Sequence, residues 1–280
     1  MERQLLERVL ERLGFAEIPE PSREALDAVY AAWCRNVPFD NVRKRIHVSR
    51  RDETPLPGTT AEDFFQGWLQ WGTGGTCWAG AGACSTLLRE IGFAVERGVA
   101  TMLVAPDLPP NHGTVRVSLD NELYLLDCSI LHGKPLRLRD GETTESPHPA
   151  WGVRCVWRDG KAYIWWRPLH KVEGFECRLE RFGASGEEYE NFYERTRGWS
   201  PFNYEIAARR NRGEEVRGIG FGHSVILRED GTVMREPVDT AERNRRLIED
   251  VGLSEEIVAR IPADTPTPPP PGKPGNPSIP

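Results

Sequence analysis

The chain has 280 residues, 39% of them hydrophobic and nine of them tryptophan, enough apolar material for a large core and, by length, for about two domains. Its 36 basic and 42 acidic residues are interspersed and leave a net charge of −6, a balance that argues against nucleic acid as a partner. No apolar run is long enough to span a bilayer, and the first residues are charged rather than signal-like. Six cysteines without a paired or zinc-like rhythm predict reduced thiols in a cytoplasmic protein with no metal.

Leu5, Leu6, Val9, Leu10 and Leu13 recur at helical spacing. Ser22, before Arg23-Glu24, is an N-cap for a second helix through Ala25, Leu26, Val29 and Trp33, which Pro38 ends. Phe39 follows, and composition leaves it as either core or the wall of a site. Arg43, Lys44 and Arg45 form a basic cluster expected on a solvated face. Residues 54–59 are a Pro/Gly loop. Thr60 or Asp63 then begins a helix carrying Phe64, Phe65, Trp68 and Leu69, and residues 72–75 break it. A further helix from Trp78 to about Glu90 stops at Gly92.

From Phe93 the period becomes that of strands, over residues 93–104, 113–119, 123–126, 152–158, 162–167 and 175–181, which predicts a curled antiparallel sheet or small barrel. His132 and His148 fall in loops and read as solvent-facing. Trp151, Trp157, Trp165 and Trp166 read as filling the barrel or its rim. Helix returns at 185–197, and 200–210 follow a short break. Residues 222–228 and 232–235 read as a hairpin, and 240–251 and 254–261 as helices, the second capped by Ser254. Proline dominates 263–280, which predicts a disordered tail.

The chemistry concentrates in Gly74-Gly75-Thr76-Cys77-Trp78-Ala79-Gly80-Ala81-Gly82-Ala83-Cys84. Two glycines permit a tight turn and the small residues then begin a helix, so Cys77 falls at a helix N-terminus, where unpaired N–H groups and the macrodipole favour a thiolate. Taken alone, Cys77 reads first as a small buried hydrophobe, the usual fate of a free cysteine. Two residues downstream change that balance: His112, and Asp127 fifteen positions later. A thiolate needs a base and the base needs a carboxylate to orient it. If Asp120-Asn121 is a two-residue hairpin turn, Leu119 pairs with Glu122, Thr114 lies opposite Asp127, and His112 and Asp127 become diagonal neighbours on one face. A turn one residue longer or shorter separates them. His223 also opens a strand and is a rival base, but no acid follows it at the matching spacing.

This order and spacing resemble the arylamine N-acetyltransferases, with their Gly-Gly-x-Cys turn, a His opening a strand and an Asp fifteen residues on. Val37-Pro38-Phe39-Asp40-Asn41 resembles the family's Pro-Phe-Glu-Asn segment, Pro135-Leu136-Arg137-Leu138 its Pro-Leu-x-Leu, and Trp199-Ser200-Pro201-Phe202-Asn203 its Ser-Pro-Phe. The family's Arg-Gly-Gly-x-Cys-x-Glu-x-Asn is here altered at Thr73, Ala79 and Ala81, and Cys128-Ser129-Ile130-Leu131 replaces its Gly-Phe-Gly-type loop. Cys77-Trp78 is also similar to the transglutaminase-like cysteine enzymes, which share the triad order.

The resemblance implies an acyltransferase that moves an acetyl group from acetyl-CoA, a co-substrate rather than a resident cofactor, to an aromatic amine or hydrazine. Cys77 would be the nucleophile, His112 the base, Asp127 its orienting acid, and Phe39, Trp78 and Phe202 would lie beside substrate. The expected architecture is α+β with a cysteine-protease/transglutaminase-like core: a helical domain at 1–92, an antiparallel β-barrel-like domain at 93–183, an α/β lid at 184–262 and the tail, in a monomer or homodimer without a membrane partner. A cysteine hydrolase or amide synthase, and an inactive binding module, remain as alternatives.

Overall fold

The computed structural model describes residues 1–105 and 108–271. Five helices and one short strand come first: α1 (Arg3–Leu13), α2 (Arg23–Asn36), β1 (Phe39–Asp40), α3 (Val42–Ser49), α4 (Ala61–Trp71) and α5 (Cys77–Ile91). Ser22 and Thr60 cap α2 and α4 by accepting backbone N–H bonds, at 3.1 Å from Ala25 and 3.2 Å from Asp63. Gly92, at φ 109°, turns the chain out of α5 in a conformation that side-chain-bearing residues rarely adopt. The helices pack on an aromatic centre in which Trp33 stacks on Phe64 at 5.8 Å and meets Phe65 edge-on at 6.1 Å.

Eight strands follow: β2 (Ala94–Met102), β3 (His112–Leu119), β4 (Glu122–Leu126), β5 (Leu136–Leu138), β6 (Thr144–Ser146), β7 (Val153–Arg158), β8 (Lys161–Trp166) and β9 (Phe175–Phe182). They form one antiparallel sheet in the order β5-β4-β3-β2-β9-β8-β7-β6, curled into a nearly closed barrel. Thr144 bridges its two ends by donating to the Arg137 carbonyl at 2.6 Å. Because side chains alternate along a strand, Val115, Val117 and Leu126 face the helices and share their core, while Leu125, Ile164 and Cys177 fill the barrel. The helical layer and the barrel therefore have one continuous core between them.

The chain then forms α6 (Gly186–Arg195), β10 (Ala207–Arg212), β11 (Glu215–Gly220), β12 (His223–Leu227), β13 (Val233–Pro237), α7 (Thr240–Arg246) and α8 (Glu255–Val258). The second sheet has the order β1-β10-β11-β12-β13, so Phe39 and Asp40 pair with a strand about 170 residues away, Phe39 opposite Arg209 and Asp40 opposite Ala208. Among the described residues no helix is long and apolar enough to cross a membrane.

Several expectations change. The basic cluster is not a solvated face: Arg43, Lys44 and Arg45 lie on α3, and Lys44 and Arg45 are buried. Arg45 donates to the carbonyls of Asn203 at 2.6 Å and Ala263 at 2.8 Å. Residues 207–212 are a strand rather than part of a segment continuing the helix, because their arginines satisfy themselves on carbonyls elsewhere, Arg210 on Arg35 and Val251, and Arg212 on Asp250. His132 is fully buried against the Tyr30 ring, with its Nδ1 2.7 Å from the Lys134 carbonyl. The expected tail begins as an ordered strap. Asp264 pairs with Arg243 at 3.0 Å and Arg45 at 3.4 Å, Thr265 donates to the Tyr204 carbonyl, and Trp199 donates to that of Pro268. The rest of that expectation, at 272–280, lies outside the described residues.

Phe65 is sealed from solvent at the junction of α2 and α4. Phe65→Ala is expected to lower the unfolding free energy by about 3–5 kcal/mol, read from urea denaturation with an unchanged m-value.

Candidate active site

Gly74 and Gly75 seat the helix that carries Cys77. A Cβ on Gly74 would stand 1.7 Å from the Pro38 carbonyl oxygen, so only glycine fits there. The Gly74 N–H donates to Asp40 Oδ2 at 2.6 Å, Asp40 N–H donates to the Gly75 carbonyl at 3.3 Å, and Asp40 Oδ1 accepts from Val42 N–H at 3.0 Å. One carboxylate thus starts α3 and fixes the turn before α5. Burial pushes it up to about 6, against the pull of these two N–H bonds and of Arg43. Cys77 is the first residue of α5, and Thr76 at the N-cap makes no side-chain bond to the helix. The first-turn N–H groups are left with no cap from Thr76.

His112 and Asp127 arrive by the hairpin of β3 and β4. Asp120 and Asn121 both have positive φ, 52° and 61°, as a type I′ turn requires. Leu119 pairs with Glu122 and Val115 with Leu126, and Thr114 Oγ1 donates to the Leu126 carbonyl. In that register His112 Nε2 lies 2.7 Å from Asp127 Oδ2, both side chains 2% exposed. Asp127 Oδ1 accepts from the N–H groups of Ser129 at 3.0 Å and Ile130 at 2.9 Å. The Tyr30 hydroxyl clamps the Asp127 backbone, donating to its carbonyl at 2.8 Å and accepting from its N–H at 3.1 Å. Tyr30 is a residue that motif spacing missed, and Asp40 stands in the motif noted above with no part assigned to it there. Both act on backbone groups, which leave no side-chain signature.

Cys77 lies near enough to the imidazole to act on its charge, and its Sγ lies 3.9 Å from the carbonyl of Asn111, the residue before His112. Burial disfavours a charged imidazole, but Asp127 and Cys77 outweigh it and raise His112 from 6.5 to about 10. For Asp127 burial again works against charge, and His112 together with the two N–H bonds lowers it from 3.8 to about 2. The favoured state of the pair is an imidazolium held against the Asp127 carboxylate. Cys77 is 7% exposed.

The remaining candidates sit at different depths. Phe39 and Phe202 are half-buried and meet edge-on at 5.5 Å, and Phe202 stacks on Phe221 at 6.0 Å. The Trp78 ring is buried, stacked on Phe192 at 4.9 Å and edge-on to Tyr189. His223 has no carboxylate partner among the described residues, its Nδ1 lying 3.1 Å from the Phe221 carbonyl. His148 pairs with Glu214 at 3.0 Å and stacks on Trp151. Ala79, where the resembled pattern has glutamate, is buried so tightly that a Cβ on Gly58 would come within 2.8 Å of its own.

The pair's contribution to stability has a defined pH window. A raised His112 contributes fully below 6.5 and loses its effect as pH rises through about 10. A lowered Asp127 contributes above 3.8 and loses its effect as pH falls through about 2. Asp127→Asn is therefore expected to cost about 3 kcal/mol between pH 4 and 6.5, with the deficit shrinking on both sides in urea unfolding.

Comparison with known proteins gives the chain a family and its fold a set of relatives. The family model described as N-acetyltransferase matches residues 22–242. The arylamine N-acetyltransferase of Mycolicibacterium smegmatis is 28% identical over 149 residues, 50% of this chain and 52% of that protein, so the match spans about half the length of the curated relative. The fold is shared with solved arylamine N-acetyltransferases: that of Mycobacterium smegmatis (TM-score 0.74, 19% identity, 93% of this chain and 98% of that one) and that of Salmonella typhimurium (0.73, 19%, 93% and 98%). That of Mycobacterium marinum, solved in complex with CoA, is similar as well (0.75, 18%, 91% and 98%). With the hairpin, the helix-borne cysteine and a family match over most of its length, the chain belongs to the N-acetyltransferase family.

Proposed function

We propose that this chain transfers an acetyl group from acetyl-CoA to an aromatic amine or hydrazine through a thioester on Cys77. The observation that carries the reading is the buried 2.7 Å contact of His112 with Asp127, with Cys77 at the start of α5 near enough to act on the imidazole's charge. In the first half-reaction the Cys77 thiolate attacks the thioester carbonyl, and the backbone N–H groups of Cys77 and Trp78 steady the oxyanion. The carbon–sulfur bond to the coenzyme then breaks, and His112 passes its proton to the departing thiolate. In the second half-reaction an amine attacks the acyl-cysteine, His112 takes the amine proton, and Cys77 leaves as the thiolate. Asp127 holds the imidazole in orientation throughout.

In this reading residues 1–92 supply the nucleophile, 93–183 the base and its acid, and 184–262 a lid whose Phe202 meets Phe39 edge-on. A cysteine on a helix set against a histidine and an aspartate on a barrel is the plan of a transglutaminase-like core. The CoA complex of the Mycobacterium marinum protein, which shares this fold, supports a coenzyme A thioester as donor. A reducing cytosol suits a chain whose six cysteines are all free.

Intact-mass measurement after mixing with acetyl-CoA tests the reading. An acetyl increment is expected on the protein, absent from Cys77→Ser and discharged by an arylhydrazine, and His112→Ala should slow its formation about 10³-fold. No increment, with amide hydrolysis in its place, would assign the site to a cysteine hydrolase.

A further inference from the structure

Arg209 stands on β10 only 4% exposed, and it forms no ion pair among the described residues. Its Nη1 donates to the Arg167 carbonyl at 3.2 Å, and its guanidinium lies over the Trp166 ring, 5.4 Å from the centroid. Its Nε is buried with no hydrogen-bond partner. Burial lowers the group from 12.5 to about 10, so it stays charged at neutral pH. Asp127, a carboxylate whose charge favours it, already has its oxygens on His112 and on the N–H groups of Ser129 and Ile130. A buried cation without a counter-charge is costly, and such a group in a folded chain calls for a physical reason.

The unused part of the guanidinium has a definite shape. Nε and Nη2 present two parallel N–H groups along one edge, and neither is bonded to a described residue once Nη1 is on the Arg167 carbonyl. A carboxylate matches such an edge with two charge-assisted hydrogen bonds.

Strand register sets this side chain among aromatic rings. Arg209 pairs directly with Phe39, so the two side chains leave the same face of the sheet. On its other flank it pairs with Gly218, where a Cβ would come within 1.9 Å of the Ala208 carbonyl oxygen, so no side chain at that position covers it. Ring contacts run from Phe39 to Phe202 at 5.5 Å, to Phe221 at 6.0 Å, to His170 at 5.3 Å, to Phe175 at 6.1 Å and to Trp166 at 5.6 Å, which closes the circuit under Arg209. Phe39, Phe202 and Phe221 are half-buried and His170 is exposed, so the circuit meets solvent on one side and has the guanidinium on its buried side. Phe39 also bridges to Gly75, two residues before Cys77. The backbone of Arg209 therefore stands two strand spacings, ~10 Å, from the turn that seats the cysteine.

We propose that Arg209 is a specificity-determining residue that binds the carboxylate of an aromatic amine acceptor and holds its ring against Phe39 and Phe202, with the amine directed toward Cys77. The fate of that amine rests on the acyl-transfer reading of the site. The surroundings match such a molecule part by part: a cation for one end, aromatic faces for the ring, and the nucleophile's turn beyond.

Turnover of 4-aminobenzoate against 4-aminobenzamide, with acetyl-CoA as donor for both, tests the assignment. The wild-type protein is expected to prefer the benzoate, and Arg209→Met to cut the benzoate-to-benzamide ratio of kcat/KM by about tenfold or more. Arg209→Lys keeps the charge without the paired edge and should restore only part of that ratio. An equal loss on both acceptors would make Arg209 a structural residue and overturn the proposal. So would a wild-type protein without the preference.

Calorimetric titration of the Cys77→Ser protein gives a readout that needs no acyl transfer. It is expected to bind 4-aminobenzoate about tenfold more tightly than 4-aminobenzamide, and adding Arg209→Met should remove the difference. That difference in a protein whose Cys77 takes up no acetyl group would leave the subsite standing and remove the transferase reading. Acetylation of Cys77 with no preference for the benzoate in binding or turnover would do the reverse. Melting curves check that Arg209→Met folds, and should it not, Arg209→Lys and the wild-type preference decide.

Discussion

The contact between His112 and Asp127 is the constraint on which the rest of the molecule depends. Two charges held 2.7 Å apart with almost no solvent lose most of their hydration, and only close geometry and further hydrogen bonds offset that loss. The hairpin provides the geometry, since residues alternate faces along each strand and a slip of one residue would send the two side chains to opposite sides of the sheet. The turn at Asp120-Asn121 sets that register through two left-handed residues. The turn after Asp127 supplies the remaining bonds by folding the Ser129 and Ile130 N–H groups back onto the carboxylate.

The nucleophile's position is set from another direction. Residues 38–40 leave α2, lace the glycine turn before Cys77 through Asp40, and pair as β1 with β10. One short segment therefore ties the helical layer to the C-terminal sheet at the base of α5. Since the helices and β3–β4 also share a continuous core, the sulfur and the imidazole stand on elements that cannot shift independently. That rigidity is what a site needs when its groups must be held near a reacting position.

The features legible in sequence were those whose causes are local. Alternation, an Asp-Asn turn and a terminal glycine foretold the hairpin and α5, because each is decided within a few residues. Features decided by distant partners were not. Arg210 and Arg212 look like surface charges, yet their guanidinium groups end on carbonyls of Arg35, Val251 and Asp250, which lets a polar stretch be a strand. The α3 cluster misleads for the same reason: the Asn203 and Ala263 carbonyls that receive Arg45 lie far along the chain. His132 reads as a loop histidine until Tyr30 and the Lys134 carbonyl enclose it. Of the proposed site, Cys77, His112 and Asp127 were legible from type and spacing. The backbone-holding parts of Tyr30 and Asp40 were not.

The strap at 263–268 bears on the order in which the chain can be completed. Asp264 supplies the carboxylate for Arg243 and for Arg45, and also accepts the Ile206 N–H. During synthesis Arg45 leaves the ribosome more than two hundred residues before that carboxylate exists. The helical layer and barrel can collapse earlier on their shared apolar core, whereas the face of α3 that holds Arg45 reaches its final arrangement only once residues 263 and 264 have emerged.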